Sequence, residues 1–187
     1  MAQSFQATGT VLAAVVSDTH GNIQGLRRLA DRLKAKGVSI VLHLGDDYRD
    51  LAILKQASLK AVGVPGVYCP EYRNPAISNR LVIELGGVKM LLTHTAGKHR
   101  YDLPCDPDPE ILAREVQVVL FGHTHLPALE LRQGVLWLNP GHLRDRRDRG
   151  QPPTYALLTL SPEVIKAEIL RLEDDRPVLC GVHRRQA

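Results

Sequence analysis

The stretch VLAAVVSDTHGN, residues 11–22, decides the fold of this chain. Its apolar run over 11–17 is typical of a strand buried on both faces, as strands of parallel sheets are. A polar turn follows, and Asn22 is a candidate N-cap for a helix whose apolar residues recur at three- and four-residue spacing before Gly37. A second apolar run, 39–44, leads into another polar turn. The stretch therefore predicts strand, helix and strand with a right-handed crossover.

Downstream, the alternation of strands and helices continues and then gives way to hairpins. A short helix from about Asp50 and a strand near 59–64 extend the mostly parallel sheet. Gly86-Gly87 and Gln133-Gly134 each suit the tight turn of an antiparallel hairpin. Between them, Asp108 followed by proline predicts a helix start. These elements place the chain in the α/β class, with both parallel and antiparallel strands.

The two ends of the chain are less regular in pattern. Residues 154–160 and 164–172 predict either two strands or a strand and a helix, because their periodicity fits both. Residues 1–10 and 174–187 are expected to be irregular tails. Since no internal repeat and no linker separates the elements, residues 1–187 predict a single domain.

The composition is that of an ordinary globular protein. Of 187 residues, 44% are hydrophobic and 24% are charged, which excludes disordered and fibrous classes. No apolar run reaches the roughly 20 residues of a membrane-spanning helix, so no membrane partner is expected. Three irregularly spaced cysteines indicate reduced thiols and a cytoplasmic location. The net charge of +4 is compatible with a phosphate-bearing partner but does not identify one.

Acidic residues and histidines directly follow four apolar strands. They lie in SDTHGN (17–22), LGDD (44–47), LLTHT (91–95) and FGHTHLP (121–127). Ligands of open α/β sheets collect at the carboxyl ends of strands, so these segments are expected to meet at one edge. In extended backbone, residues two apart point the same way, so each pair could reach one point. The candidate metal ligands are Asp18, His20, Asp46, His94, His123 and His125.

This set of imidazoles and carboxylates suits borderline divalent cations: manganese, iron, zinc, cobalt or nickel. A carboxylate can bridge two such ions about 3.5–4 Å apart, the separation used for phosphoryl transfer. Each segment alone is weak, since a single histidine after a strand is usually structural. Their joint occurrence at four strand ends indicates a two-metal site. Of the other histidines, His43 and His142 are expected to orient the ligands, and His99 and His183 receive no role.

With Asp18-x-His20, Gly45-Asp46, His94 and Gly122-His123-x-His125 in place, the chain resembles the calcineurin-like metallophosphoesterase superfamily, in its YfcE-like branch of small phosphodiesterases. The resemblance implies a four-layer α/β/β/α sandwich with mixed sheets and two divalent metal ions. It also implies hydrolysis of a small-molecule phosphate ester, expected to be a diester, by a metal-bridging hydroxide. By the same resemblance, Asp18, His20 and His125 hold the first metal, Asp46 bridges, and His94 and His123 hold the second.

The segment 63–74 departs from the family pattern, which places an asparagine ligand of the second metal after the third strand. No asparagine occurs here before Asn74, so Glu71 or Asn74 is the candidate replacement ligand. Cys69 is a candidate catalytic residue, with a buried structural thiol as the alternative.

Two other functions compete with the phosphodiesterase. One is a protein-interaction scaffold with a weakened metal site, since the branch also resembles a retromer subunit of that kind. The other is a nuclease, with nucleic acid recruited by the arginines of 144–149, although this mixed-charge run is more typical of a solvated loop. The sequence identifies no histidine to protonate a leaving group, which predicts a preference for phenolic esters over alkyl esters. A homo-oligomer is compatible with all three functions.

Overall fold

The computed structural model describes residues 3–5 and 9–185. Its twelve strands in chain order are β1 (Gln3–Phe5), β2 (Val11–Val16), β3 (Ile40–His43), β4 (Ala61–Gly63), β5 (Arg80–Leu85), β6 (Val88–Thr93), β7 (Val118–Leu120), β8 (Ala128–Arg132), β9 (Val135–Asn139), β10 (Thr154–Leu160), β11 (Val164–Arg171) and β12 (Pro177–Arg184). Three α-helices are α1 (Ile23–Ala35), α2 (Asp50–Gln56) and α3 (Pro109–Leu112), and single 3₁₀ turns span Pro70–Arg73 and Ala113–Glu115.

The strands form two six-stranded mixed sheets. One sheet has the order β1-β5-β6-β7-β9-β8, and the other has the order β12-β11-β10-β2-β3-β4. Apolar side chains from the inner faces of both sheets, such as Val15, Leu42, Met90 and Leu158, form the central core. The outer face of the second sheet packs against α1 and α2, and that of the first sheet packs against the region of α3. This arrangement confirms the four-layer α/β/β/α sandwich.

Helix α1 begins and ends where the sequence predicts. Oδ1 of Asn22 accepts a hydrogen bond from the Gly25 amide at 2.9 Å, as an N-cap does. Leu26, Leu29 and Leu33 are fully buried against the second sheet. The chain leaves the helix through Gly37, whose φ of +72° lies in the left-handed region. The parallel pairing of β2 with β3 completes the predicted crossover unit.

The irregular tails expected from the sequence are the main error in the fold. Residues 177–184 form β12, which pairs antiparallel with β11, and residues 3–5 pair parallel with β5. Both are edge strands, held by backbone hydrogen bonds, and most of β12 is exposed. An exposed edge strand does not need alternating apolar and polar residues, so its sequence carries no clear strand pattern. Residues 1–2, 6–8 and 186–187 lie outside the described residues.

One further element resolves an alternative left by the sequence. Residues 164–171 form β11, so the second of the two ambiguous segments is a strand.

Within residues 3–5 and 9–185, no helix has the length and apolar character needed to cross a lipid bilayer.

We expect Leu29→Ala to lower the free energy of unfolding by about 2–5 kcal/mol, because the truncation leaves a cavity between α1 and the sheet. Ile23→Ala on the same helix is the matched control, since Ile23 is 44% exposed and should change stability by less than about 0.5 kcal/mol. Urea denaturation of both variants gives the comparison. Equal losses would contradict the placement of the helix.

Candidate metal centre

The six predicted ligands lie together at one edge of the sandwich, after the carboxyl ends of β2, β3, β6 and β7. Backbone hydrogen bonds connect the loops that carry them. The Asp18 amide donates to the Gly45 carbonyl at 3.2 Å, and the Gly122 amide donates to the His94 carbonyl at 3.0 Å. The site therefore lies at the ends of two strands from each sheet. Within each sheet, backbone hydrogen bonds hold the two loops together.

The loops position the side chains in an unexpected conformation. The extended backbone that the sequence suggested for the Asp-x-His and His-x-His pairs is wrong. Five of the six residues have a φ between +47° and +78°, in the left-handed region: Asp18, His20, Asp46, His123 and His125. Such strain costs about 1–3 kcal/mol for each residue and concentrates at functional sites.

One group of three donors surrounds a common point. Ligand atoms of Asp18, His20 and His125 all lie within 4.8 Å of one another. The Nε2 atoms of His20 and His125 are 3.0 Å apart, and Nε2 of His125 is 3.3 Å from Oδ1 of Asp18. These three residues are the set that the resemblance assigned to a first metal.

A second group shares Asp18 with the first. Ligand atoms of Asp18, Asp46 and His94 also lie within 4.8 Å of one another. The ring of His123 is centred 5.0 Å from that of His94, and its backbone amide donates to Oδ2 of Asp18 at 2.9 Å. Asp46 Oδ2 in turn lies 2.8 Å from Nδ1 of His20. The carboxylate common to both groups is thus that of Asp18, whereas the resemblance implied a bridging Asp46.

Two buried atoms in the centre have no hydrogen-bond partner within the described part of the chain. They are Oδ1 of Asp18 and Nε2 of His94. Nδ1 of His94 lies 2.7 Å from the Leu44 carbonyl, so it carries the proton and leaves the Nε2 lone pair free. Leaving such atoms unpaired costs about 1–3 kcal/mol each. A metal-binding histidine commonly donates its other nitrogen to a carbonyl in this way, so these residues fit divalent cations.

The electrostatics favour the protonation states that metal binding requires at Asp18, His94 and His123, whereas the carboxylates of Asp18 and Asp148 raise the pKa of His125. Burial raises the pKa of Asp18, but the nearby imidazoles of His125 and His94 outweigh burial and bring that pKa down to about 2. Burial lowers the pKa of His94 and the pKa of His123. Near neutral pH these side chains are therefore an ionised carboxylate and neutral imidazoles, the forms that bind metals.

Comparison with known families agrees with this arrangement. The model of the calcineurin-like phosphoesterase superfamily domain matches residues 11–163. The chain belongs to the calcineurin-like phosphoesterase superfamily. It is 30% identical to the probable metallophosphoesterase YsnB of Bacillus subtilis over 148 residues, which cover 78% of this chain and 82% of YsnB. The resemblance inferred from the sequence is thereby confirmed.

Solved structures share the fold. A predicted phosphoesterase from Streptococcus pneumoniae is 25% identical, with a TM-score of 0.70 over 96% of this chain and 100% of its own. Vps29 from Entamoeba histolytica, in complex with Zn²⁺, is 22% identical, with a TM-score of 0.65 over 93% of this chain and 99% of its own. The superfamily fold therefore occurs in a predicted phosphoesterase and in a vacuolar protein sorting protein.

Two residues that the sequence did not identify contact the centre of this phosphoesterase-family chain. Nδ1 of His125 hydrogen-bonds to the carboxylate of Asp148, which also accepts from Nη1 of Arg144 at 2.8 Å. The ring of His99, which received no role, is centred 5.6 Å from that of His123. No signal in the sequence identifies either residue, because both lie in polar loops whose path only the tertiary structure decides.

The histidines expected to orient the ligands lie close to them. Nδ1 of His43 accepts from the Gly45 amide at 3.2 Å, and its Nε2 is 3.1 Å from Oδ2 of Asp50. The His142 ring is centred 5.8 Å from that of His125. Gly45 itself requires glycine, because its φ is +104° and an added Cβ would lie 2.7 Å from Nδ1 of His94.

The altered segment 63–74 brings one of its two candidate ligands, Glu71, to a cavity beside the centre. Glu71 lines a cavity of about 460 Å³ together with His20 and Asp46. Asn74 is not brought to the centre: it is exposed, and its side-chain oxygen accepts from the Ala76 amide within its own turn. The Cys69 thiol donates to the Asp46 carbonyl, and burial raises its pKa. This geometry favours the structural interpretation of Cys69 over the catalytic one.

We expect Asp148→Asn to weaken divalent metal binding by about 10–100-fold, because the carboxylate orients His125. Asp145→Asn removes an exposed acid from the same loop and should leave metal affinity unchanged. Titration of the metal-stripped variants with Mn²⁺ by calorimetry measures both. If the two variants bound Mn²⁺ equally well, Asp148 would have no role in positioning His125.

Proposed function

We propose that this protein is a metal-dependent phosphodiesterase that hydrolyses a small-molecule phosphate ester. The observation that carries the proposal is the pair of buried, unpartnered atoms, Asp18 Oδ1 and His94 Nε2, within a cluster of histidines and carboxylates. Neither atom has a hydrogen-bond partner among the described residues, and Oδ1 of Asp18 has only the 3.3 Å approach of Nε2 of His125. Divalent cations would satisfy both atoms, and the superfamily uses such cations on phosphate esters.

In this proposal each cation has a distinct set of ligands. Asp18, His20 and His125 would hold one ion, and Asp46, His94 and His123 would hold the other, with Asp18 in reach of both. The donor set of imidazole and carboxylate fits Mn²⁺, Ni²⁺, Fe²⁺, Co²⁺ or Zn²⁺. When bound, the two ions supply an activated water as nucleophile and Lewis acidity for the phosphoryl oxygens.

The protein itself binds and orients the ester. No side-chain nucleophile is needed, because the bound ions would supply an activated water. The thiol of Cys69 donates to a backbone carbonyl and is not directed at the ester site. Tyr68, which is 67% exposed, stands with its ring 6.4 Å from that of His123 and 6.0 Å from that of Tyr101. These rings form an aromatic surface beside the metal ligands. A phosphate ester at the centre would therefore place one of its alcohol groups against them.

A protein-interaction scaffold is the second candidate function. It is supported by the departure at 63–74, which removes an expected ligand, and by the structural likeness to Vps29. Five donors in two groups of neighbouring ligand atoms, and Glu71 at the same cavity as His20 and Asp46, weigh against a degenerate site. We therefore rank the enzyme first.

We also propose that the chain is one domain and acts in the cytoplasm. Strands from near both ends, β1 and β12, belong to the two sheets that carry the centre. The three cysteines are free, and Cys105 and Cys180 are exposed, as expected in a reducing compartment.

We expect removal of divalent cations with EDTA to abolish hydrolysis of bis-p-nitrophenyl phosphate and Mn²⁺ or Ni²⁺ to restore it. Asp46→Asn should lower the restored rate by about 10²-fold or more, because it removes a charged ligand. Asp31→Asn, an exposed position on α1, is the matched control and should keep the full rate. Mn²⁺ binding without hydrolysis of any phosphate ester would favour the scaffold instead.

We further expect aryl phosphodiesters to be hydrolysed at least about 10²-fold faster than alkyl phosphodiesters, because a phenolate leaves without a protonating group. Competition between bis-p-nitrophenyl phosphate and dimethyl phosphate at equal concentration, followed by ³¹P NMR, measures the preference. Comparable rates on the two esters would show that the protein protonates the leaving group.

A further inference from the structure

A cavity of about 650 Å³ lies beside the start of α1, formed by that helix, the loop after β9 and the end of β11. None of the six candidate metal ligands lines it. Its walls carry six arginines from three separate parts of the chain: Arg28, Arg32, Arg144, Arg146, Arg147 and Arg171. The loop 144–149, expected to be solvated, thus forms one wall of a built cavity.

The positive charge of this cavity exceeds what the protein neutralises. Only two acidic residues, Asp145 and Glu173, line it with the six arginines. Among the described residues, Arg28, Arg146 and Arg147 have no acidic partner within 4.0 Å, whereas Arg32 pairs with Asp175, Arg144 with Asp148, and Arg171 with Glu173 and Asp174. Guanidinium groups held around one space repel one another, so the arrangement favours an anion between them.

Two buried nitrogen atoms of these arginines are also unsatisfied. Nε of Arg32 and Nε of Arg171 are buried and have no hydrogen-bond partner among the described residues, and Nε of Arg171 lies 3.5 Å from Oδ1 of Asp174. The first turn of α1 adds to the same field, because Asn22 and Gly25 line the cavity and the helix N-terminus carries partial positive charge. Guanidinium groups and helix N-termini are the groups with which proteins bind phosphate oxygens.

We propose that this cavity binds a small oligophosphate, such as the phosphate chain of a nucleoside triphosphate or inorganic tripolyphosphate. Its volume lies in the range of about 300–1,000 Å³ usual for small-ligand sites. The three guanidinium groups without a carboxylate partner, beside the three paired ones, offer more donors than one phosphate can accept, so a chain of two or more phosphates fits best. The site is separate from the metal centre and does not depend on the proposed hydrolysis.

The test is calorimetric titration of tripolyphosphate into the full chain, stripped of divalent cations with EDTA and dialysed. We expect Arg28→Gln with Arg146→Gln to weaken binding by at least about tenfold, because two charge-assisted contacts are lost. The matched control is Arg27→Gln with Arg114→Gln, which removes the same charge from exposed positions outside the cavity. This control should change affinity by less than about twofold, apart from general screening.

Further ligands distinguish the source of the phosphate chain. ATP binding as tightly as tripolyphosphate, with adenosine not binding, would assign recognition to the phosphates alone, and tighter ATP binding would add the nucleoside. Equal losses in the two double variants, or no binding of either ligand, would overturn the proposal. So would tighter binding of a ten-nucleotide single-stranded RNA, which would assign the cavity to a nucleic-acid backbone. Thermal unfolding of each variant verifies that it is folded.

Discussion

The buried carboxylate of Asp18 connects the two sheets at the functional edge. It is 1% exposed, and its Oδ2 accepts from Ser17 Oγ at 2.5 Å and from the His123 amide at 2.9 Å. Its backbone donates to Gly45 and accepts from Leu143, so loops from both sheets meet at one residue. A carboxylate in this position carries a desolvation cost of several kcal/mol. The surrounding N–H groups and imidazoles offset that cost and keep the carboxylate ionised.

The other candidate ligands must direct their side chains into the space beside Asp18. Left-handed conformations at five of the six ligands turn the chain sharply enough to do this. Each is unfavourable by itself, and hydrogen bonds between the loops and the packed sheets beneath them hold it in place. The backbone thus preorganises the side chains of the centre through the protein's own hydrogen bonds. This preorganisation distinguishes it from acidic clusters that gather at a surface by chance.

Two regions of opposite chemistry lie on either side of one ion pair. Asp148 contacts His125 of the metal centre, and its partner Arg144 also lines the arginine cavity. One region offers lone pairs to cations, and the other offers guanidinium groups to anions. Both are suited to phosphate chemistry, one by polarising an ester and the other by binding charged oxygens. The Arg144–Asp148 pair thus contacts both regions, and none of the six candidate metal ligands lines the cavity.

Much of the fold was readable from the sequence because strong local patterns agree with it. The apolar runs of β2 and β3, the Asn22 cap and the two glycine hairpin turns each follow from properties of a few neighbouring residues. Edge strands were missed, since β12 is held by backbone pairing with β11 and leaves most of its side chains exposed. The sequence also indicated that Asn74 or Glu71 replaces a missing ligand, and only the three-dimensional path of the loop selects Glu71 as the neighbour of the centre.

By itself, the sequence determined which residue types follow which strands, and therefore that six candidate metal-ligating side chains lie at the same edge of an α/β sandwich. Tertiary structure alone decided that they reach each other through left-handed turns, that Asp18 is common to both groups, and that Asp148 and His99 are their neighbours. It also decided that arginines at 28, 32, 144 and 171 surround one cavity. The physical reason is that strand ends and caps are local properties, whereas contacts between loops depend on how distant segments pack.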